Sequence, residues 1–171
     1  MRFLYFPVLF GSVFLLQTTV VPAVLPVWFI YGFDLPLILV LHIAMTRGKI
    51  AGMIAGVGIG YLQDALSGTV LGFNGVSKIV AGFMGGYLKE KFFVRSLAHR
   101  TASVAGAVFV ALLVRIGVLA LFAQPGPSLF SLQFLWGLIG NTFFALLIHS
   151  LLDLFEKGLR IRVEGELSLG D

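Results

Sequence analysis

Apolar residues along the chain fall into six runs, which are separated by short polar or glycine- and proline-rich stretches. The runs cover residues 3–21, 34–46, 49–66, 73–88, 99–123 and 132–155. Because a helix needs about 20 apolar residues to cross a bilayer, 171 residues leave room for six spans and no soluble domain. The pattern predicts an all-α, polytopic membrane protein with six transmembrane helices in one domain, residues 1–171.

The first two runs need interpretation. The first is longer than the apolar region of a signal peptide, and no A-x-A-like cleavage site follows it, so we interpret it as a retained span. In the second, Asp34-Leu35-Pro36 interrupts an aromatic stretch. This predicts an interfacial aromatic segment near 27–33, and then a short helix that starts near Asp34 with Pro36 in its first turn. The charged tail from Glu156 is predicted to be exposed.

Composition supports a membrane location and narrows the function. The chain is 58% hydrophobic and 12% charged, with a mean hydropathy of +1.01, whereas soluble domains are about 25% charged. It has no cysteine, which excludes disulfides and thiolate metal sites. The basic residues are dispersed in short loops, so the pI near 9.7 does not indicate nucleic-acid binding.

The basic residues predict the orientation. Ten of the twelve lie at alternate ends of successive runs, and the opposite loops, around 22–34, 64–72 and 124–131, contain none. The positive-inside rule then places both termini in the cytoplasm and the ends that carry Asp34 and Asp64 outside. The ten residues are Arg2, Arg47, Lys49, Lys89, Lys91, Arg95, Arg100, Lys157, Arg160 and Arg162.

Glycine is concentrated in the third and fourth runs, where the stretch from Gly48 to Gly86 holds 11 of the 21 glycines. Gly52, Gly56 and Gly60 are four apart and share one helix face. Small residues let a second helix approach closely in lipid. The stretch predicts a membrane hairpin with a glycine seam and Asp64 at its bend. The seam packs against this protein's own helices, which we favour for Gly56, or against a partner helix.

Lys78 and Arg115 lie inside predicted spans, roughly 10 Å from their outer ends at 1.5 Å per residue. They are therefore near the level of Asp34 and Asp64. The favoured interpretation is internal pairing, for example Asp64 with Lys78 and Asp34 with Arg115, or snorkelling of the two basic side chains. The alternative is a polar cavity that is open to the outside and binds a ligand.

His42, His149 and Asp153 form a second polar set near the cytoplasmic ends. His149 and Asp153 are four apart and share a helix face, which favours a satisfied polar pair over a proton relay. A metal site is disfavoured because His42 is distant in sequence and no second pair supports it. No nucleotide-binding, zinc-protease or serine-hydrolase motif occurs. We therefore predict no enzyme activity, no cofactor and no metal.

Three segments carry a resemblance to a known family. Residues 60–68 (GYLQDALSG), 71–75 (LGFNG) and 85–88 (GGYL) follow a small-residue helix. This order, with the chain length and number of spans, resembles the family of the rod shape-determining protein MreD. The specific part covers residues 52–88. Asp64, Gly60, Gly68 and Gly72 are the positions that match the family motif.

The resemblance implies a fold similar to the S components of energy-coupling-factor vitamin transporters. It implies a non-enzymatic scaffold in the bacterial cytoplasmic (inner) membrane that binds MreC, a protein with one membrane helix. That pair is thought to link MreB filaments to the RodA glycosyltransferase and its transpeptidase during peptidoglycan synthesis. Membrane lipid is the other expected contact.

The alternative is a true S component, which binds a vitamin in an outward-facing cavity. The four charged residues near the outer ends support this alternative. The first run opposes it, because Phe3, Phe6, Phe10 and Phe14 stand where an A-x-x-x-A docking face is expected in such proteins.

Overall fold

The chain folds into five helices of 13 residues or more in the part that the structure describes. A computed structural model describes residues 11–12, 16–17, 21–24, 33–68, 70–92, 97–124 and 126–168, and side chains as far as residue 151. The helices are α1 (Leu35–Arg47), α2 (Lys49–Ser67), α3 (Phe73–Phe92), α4 (Leu97–Leu121) and α5 (Leu132–Ser168), and a four-residue helical segment covers Val21–Val24. Every regular element of the described residues is helical, which confirms the predicted all-α fold for this part of the chain.

Helix α1 begins where the sequence predicts a helix start. The Asp34 carboxylate accepts a hydrogen bond from the Leu37 N–H at 3.0 Å and so caps the first turn, which contains Pro36. The helix ends at Gly48, whose φ of 94° favours glycine. This one residue connects α1 to α2, so the two helices turn sharply against each other.

The centre of the bundle is α1, in which every residue from 36 to 45 is buried. A helix that is apolar on all sides belongs in a protein interior. It packs against α2, α3 and α5. The main core joins α1 to α3, α4 and α5 through Leu37, Ile38, Leu41, Met45, Ala81, Val104, Ala107, Val108, Ala111 and Ala145.

Helix α2 has small and polar residues on its buried face and large apolar residues on its exposed face, which is the reverse of a helix in a soluble protein. It buries three glycines and Asp64, while Ile54 is 68% exposed and Leu66 is 60% exposed. A large exposed apolar face needs a covering partner. Lipid chains provide one, so the outward side chains fit a membrane helix.

Three of the described helices are long and apolar enough to cross a membrane: Lys49–Ser67, Ala98–Leu121 and Leu132–Leu151. This differs from the predicted six. The 13-residue α1 is short and lies in the core. Helix α3 carries Lys78, Lys89, Glu90 and Lys91, which lower its hydropathy. The predicted first span, 3–21, and the aromatic segment near 27–33 lie largely outside the described residues.

The remaining helix bounds lie within a few residues of the predicted runs except at the C-terminus. There α5 continues to Ser168, so the segment from Glu156, predicted to be an exposed tail, is helical. A run of charged residues ends an apolar span, but it does not by itself end a helix, because lysine, arginine and glutamate are good helix formers.

Candidate functional site

The hairpin bend between α2 and α3 depends on two glycines. Gly68 ends α2 in the left-handed conformation (φ 64°, ψ 20°), and its N–H donates to the Asp64 carbonyl. Gly72 has a φ of 98°. An added Cβ would meet nothing within 4 Å at either position. Glycine is therefore required by the backbone conformation and not by lack of space.

Asp64 uses this bend to cap α3. The residue is fully buried. Its carboxylate accepts from the Gly72 N–H at 2.9 Å, from the Asn74 N–H at 2.9 Å and from the Asn74 side-chain amide at 2.9 Å. The Gly75 N–H lies at 3.3 Å. These are donors of the first turn of α3, which have no partner within the helix, and the helix dipole there favours an anion.

The ion pair in the structure differs from the predicted ones. The Lys78 ammonium donates to Asp34 Oδ2 at 2.9 Å, and the two side chains are only 1% and 15% exposed. The predicted pairing of Asp64 with Lys78 and of Asp34 with Arg115 is therefore wrong. The physical reason is that backbone N–H groups satisfy Asp64, while the N-terminus of α1 lies against α3.

Two amide side chains that the sequence reasoning missed hold the start of α1. Asn141 on α5 accepts from the Asp34 N–H at 2.7 Å and donates to the Gly137 carbonyl at 2.8 Å. Gln17 donates to the Phe33 carbonyl at 3.0 Å and accepts from the Leu35 N–H at 3.2 Å. Each is an isolated amide in an apolar run, a signal that could have identified both.

These side chains meet at the end of the bundle where α2 joins α3 and α4 joins α5. We use "polar cluster" for Asp34, Asp64, Asn74, Lys78, Arg115 and Asn141. Arg115 lines a small cavity with Asp34, Ser77 and Asn141, and also a cavity of about 360 Å³ between α4 and α5. Among the described residues, no carboxylate lies within salt-bridge distance of its guanidinium.

The glycine seam of α2 faces α3. A Cβ at Gly56 would lie 2.6 Å from the Lys78 carbonyl oxygen, and one at Gly52 would lie 2.7 Å from the Gly82 carbonyl oxygen. At Gly60 it would collide with the Gly75 Cα. The two backbones are therefore in contact along the hairpin. The seam lies between two helices of this chain, and these three positions cannot take a partner helix in this arrangement.

At the other end, His42 on α1 and His149 on α5 form a histidine pair. Their Nδ1 atoms are hydrogen-bonded, the rings are edge-to-face with centroids 4.6 Å apart, and each residue is 8% exposed. A bond between two Nδ1 atoms needs one donor and one neutral acceptor. The sequence analysis considered His42 only as a metal ligand and did not predict its hydrogen bond with His149. The Asp153 side chain lies outside the described residues.

Metal binding has no further support within this part of the chain. No group of three histidine, cysteine, aspartate or glutamate side chains with metal-binding spacing occurs among the described residues.

Comparison with known proteins returned no matching family model, no matching curated protein and no matching solved structure.

Proposed function

We propose that this chain is a membrane scaffold of the bacterial cell-elongation machinery, of the MreD type, which binds an MreC-like protein with one membrane helix. The observation that carries the proposal is the position of the motif residues at the bend between α2 and α3. Asp64, Gly68 and Gly72 carry the resemblance, and they also build the hairpin bend. The residues that carry the resemblance therefore also have a structural role in the hairpin.

The proposed topology is six spans with both termini in the cytoplasm of a bacterium. Helices α2, α4 and α5 have the length and hydropathy for three of them. Lys78 is the charge deepest in α3, and its ion pair with Asp34 lowers the cost of placing it in a membrane. Helix α1 needs no lipid contact, because its neighbours cover it.

A scaffold without enzymatic activity fits the chemistry of the polar cluster. The carboxylate of Asp64 caps a helix, and that of Asp34 caps another helix and pairs with Lys78. Groups engaged in this way hold helices in place. Partners are then bound through the exposed helix faces, such as the face of α5 with Ile139, 62% exposed, and Phe143, 61% exposed.

The test is co-purification in mild detergent from the native host, with the bound proteins identified by mass spectrometry. We expect an MreC-like protein, together with RodA-type glycosyltransferase and transpeptidase subunits at lower yield. A matched purification of an unrelated six-span protein from the same membranes controls for detergent carry-over. Recovery of an ATPase module with its transmembrane coupling subunit, and no MreC-like protein, would refute the scaffold.

A substrate-binding S component is the second candidate, and one observation favours it. The cavity of about 360 Å³ contains a guanidinium, which would suit a carboxylate-bearing vitamin. Capture of the ATPase module in the same purification would support this candidate.

A further inference from the structure

Only one ion pair forms among the charged side chains of the polar cluster that the structure describes. Asp64 is satisfied by N–H donors of α3, and Asp34 by Lys78. The two carboxylates and the two basic side chains could form two ion pairs, but the carboxylate of Asp64 accepts hydrogen bonds from the start of α3 instead. Among the described residues Arg115 has no carboxylate within salt-bridge distance, although it lines the small cavity beside Asp34 and interacts with it electrostatically.

Arg115 faces a cavity that is large enough for a ligand group. The volume of about 360 Å³ lies in the range of small-molecule pockets. The walls are mostly apolar: they include Leu112, Ile116 and Leu119 of α4, Phe134 of α5 and Pro127 of the connection. Gln133 adds an amide. Such a site suits a ligand with one anionic group and an apolar body.

We propose that this cavity binds the phosphate of an anionic phospholipid. A guanidinium presents a planar fork of N–H donors that matches phosphate oxygens. The cavity lies between α4 and α5, two helices long and apolar enough to cross a membrane. Arg115 is six residues before the end of α4, about 9 Å at 1.5 Å per residue, and the cavity extends from it to Gly126 and Pro127 of the connection between α4 and α5.

The acyl chains have apolar surface beside the cavity. Leu132 and Leu135 flank Gln133 and Phe134 in sequence and are 81% and 48% exposed. The membrane supplies this ligand at high concentration, whereas a soluble anion would leave the apolar walls uncovered. The inference depends on α4 and α5 alone and not on the scaffold function.

The experiment measures lipid retained by the purified full chain, using native mass spectrometry after addition of phosphatidylglycerol or phosphatidylcholine. We expect preferential retention of phosphatidylglycerol by the natural protein. Arg115→Gln should reduce it about tenfold or more, because a charge-assisted hydrogen bond is lost. Arg115→Lys should keep part of it. Arg47→Gln changes an exposed arginine at the opposite end and should retain lipid like the natural protein.

A second variant tests the cavity independently, in case Arg115→Gln does not fold. Leu119→Trp fills the cavity and leaves the guanidinium in place, so it should also lose phosphatidylglycerol. Undiminished binding by folded Leu119→Trp would overturn the proposal. Equal retention of the two lipids, or full displacement of phosphatidylglycerol by millimolar inorganic phosphate, would overturn the choice of an anionic phospholipid.

Discussion

Asp34 and Asp64 each cap the start of a helix, but they stand at different places in the chain. Asp34 caps its own helix and neutralises Lys78 from α3. Asp64 stands near the end of one helix and caps the next one. A buried carboxylate is stabilised by a cation or by several N–H donors. Which of the two it finds depends on the elements that surround it.

The Lys78–Asp34 pair should show strong energetic coupling. Asp34→Asn leaves an ammonium buried without its counter-ion and should lower the free energy of unfolding by about 3–5 kcal/mol. Lys78→Met in the same chain should restore part of the loss. The measurement is a double-mutant cycle of detergent-solubilised protein in a chemical unfolding series.

The exposed pair of Lys49 and Glu90, 2.8 Å apart with side chains 38% and 46% exposed, is the matched control. It should couple by less than about 1 kcal/mol. Coupling of Lys78 with Asp64 in place of Asp34 would contradict the pairing in the structure.

Asp64→Asn should destabilise the hairpin while leaving the contact between Lys78 and Asp34 in place, because Lys78 donates to Asp34 and not to Asp64. The amide keeps one acceptor oxygen, while the other becomes an NH₂ that points at N–H donors. A loss of about 1–3 kcal/mol is expected for buried donors left unsatisfied. The melting temperature in thermal unfolding should fall in Asp64→Asn and fall further in Asp64→Ala. A melting temperature equal to that of the natural protein would exclude the capping role.

Helix positions followed from the sequence because each apolar run ends at a polar or glycine-rich break. The start of α1 was predictable from Asp34 and Pro36, whose effects are local. Pairing was not predictable in this way. Lys78 and Asp34 are separated by 44 residues, and His42 and His149 by 107. Which helix ends meet is decided by packing over the whole bundle, and a single run of sequence does not record that.

The α2–α3 hairpin is held by backbone contact along the glycine seam. Large side chains would separate the two helices, and the hydrogen bonds from the start of α3 to Asp64 would lengthen with them. The glycine seam and the Asp64 cap therefore both stabilise the close packing of α2 against α3.

Gly56→Ala and Gly58→Ala form a matched pair on one helix. The first places a Cβ 2.6 Å from the Lys78 carbonyl oxygen, while the second meets nothing within 4 Å. Gly56→Ala should destabilise the protein by about 1–3 kcal/mol through overpacking. Gly58→Ala should leave stability unchanged or raise it, because alanine is the better helix former. Equal effects of the two, measured by thermal unfolding, would place the helix contact on another face.

For the whole molecule, the orientation is the prediction with the widest consequences. Reporter fusions after Arg95 and Arg162 should be cytoplasmic, and fusions near Gly68 and Pro127 should be external, because the positive-inside rule assigns the ends that carry the basic residues to the cytoplasm. Activity of paired alkaline phosphatase and green fluorescent protein fusions measures this. A cytoplasmic signal at Gly68 would place the polar cluster at the opposite side of the membrane.

The short central helix has a consequence for biogenesis. With 13 residues α1 is about 20 Å long, and the hydrocarbon core of a bilayer is about 30 Å thick. It is synthesised before the helices that cover it, and one residue, Gly48, joins it to α2. A nascent chain that stops at Gly48 offers α1 none of these covering helices. The part of the protein that is deepest in the finished bundle therefore lacks its full set of neighbours until α5 has been made.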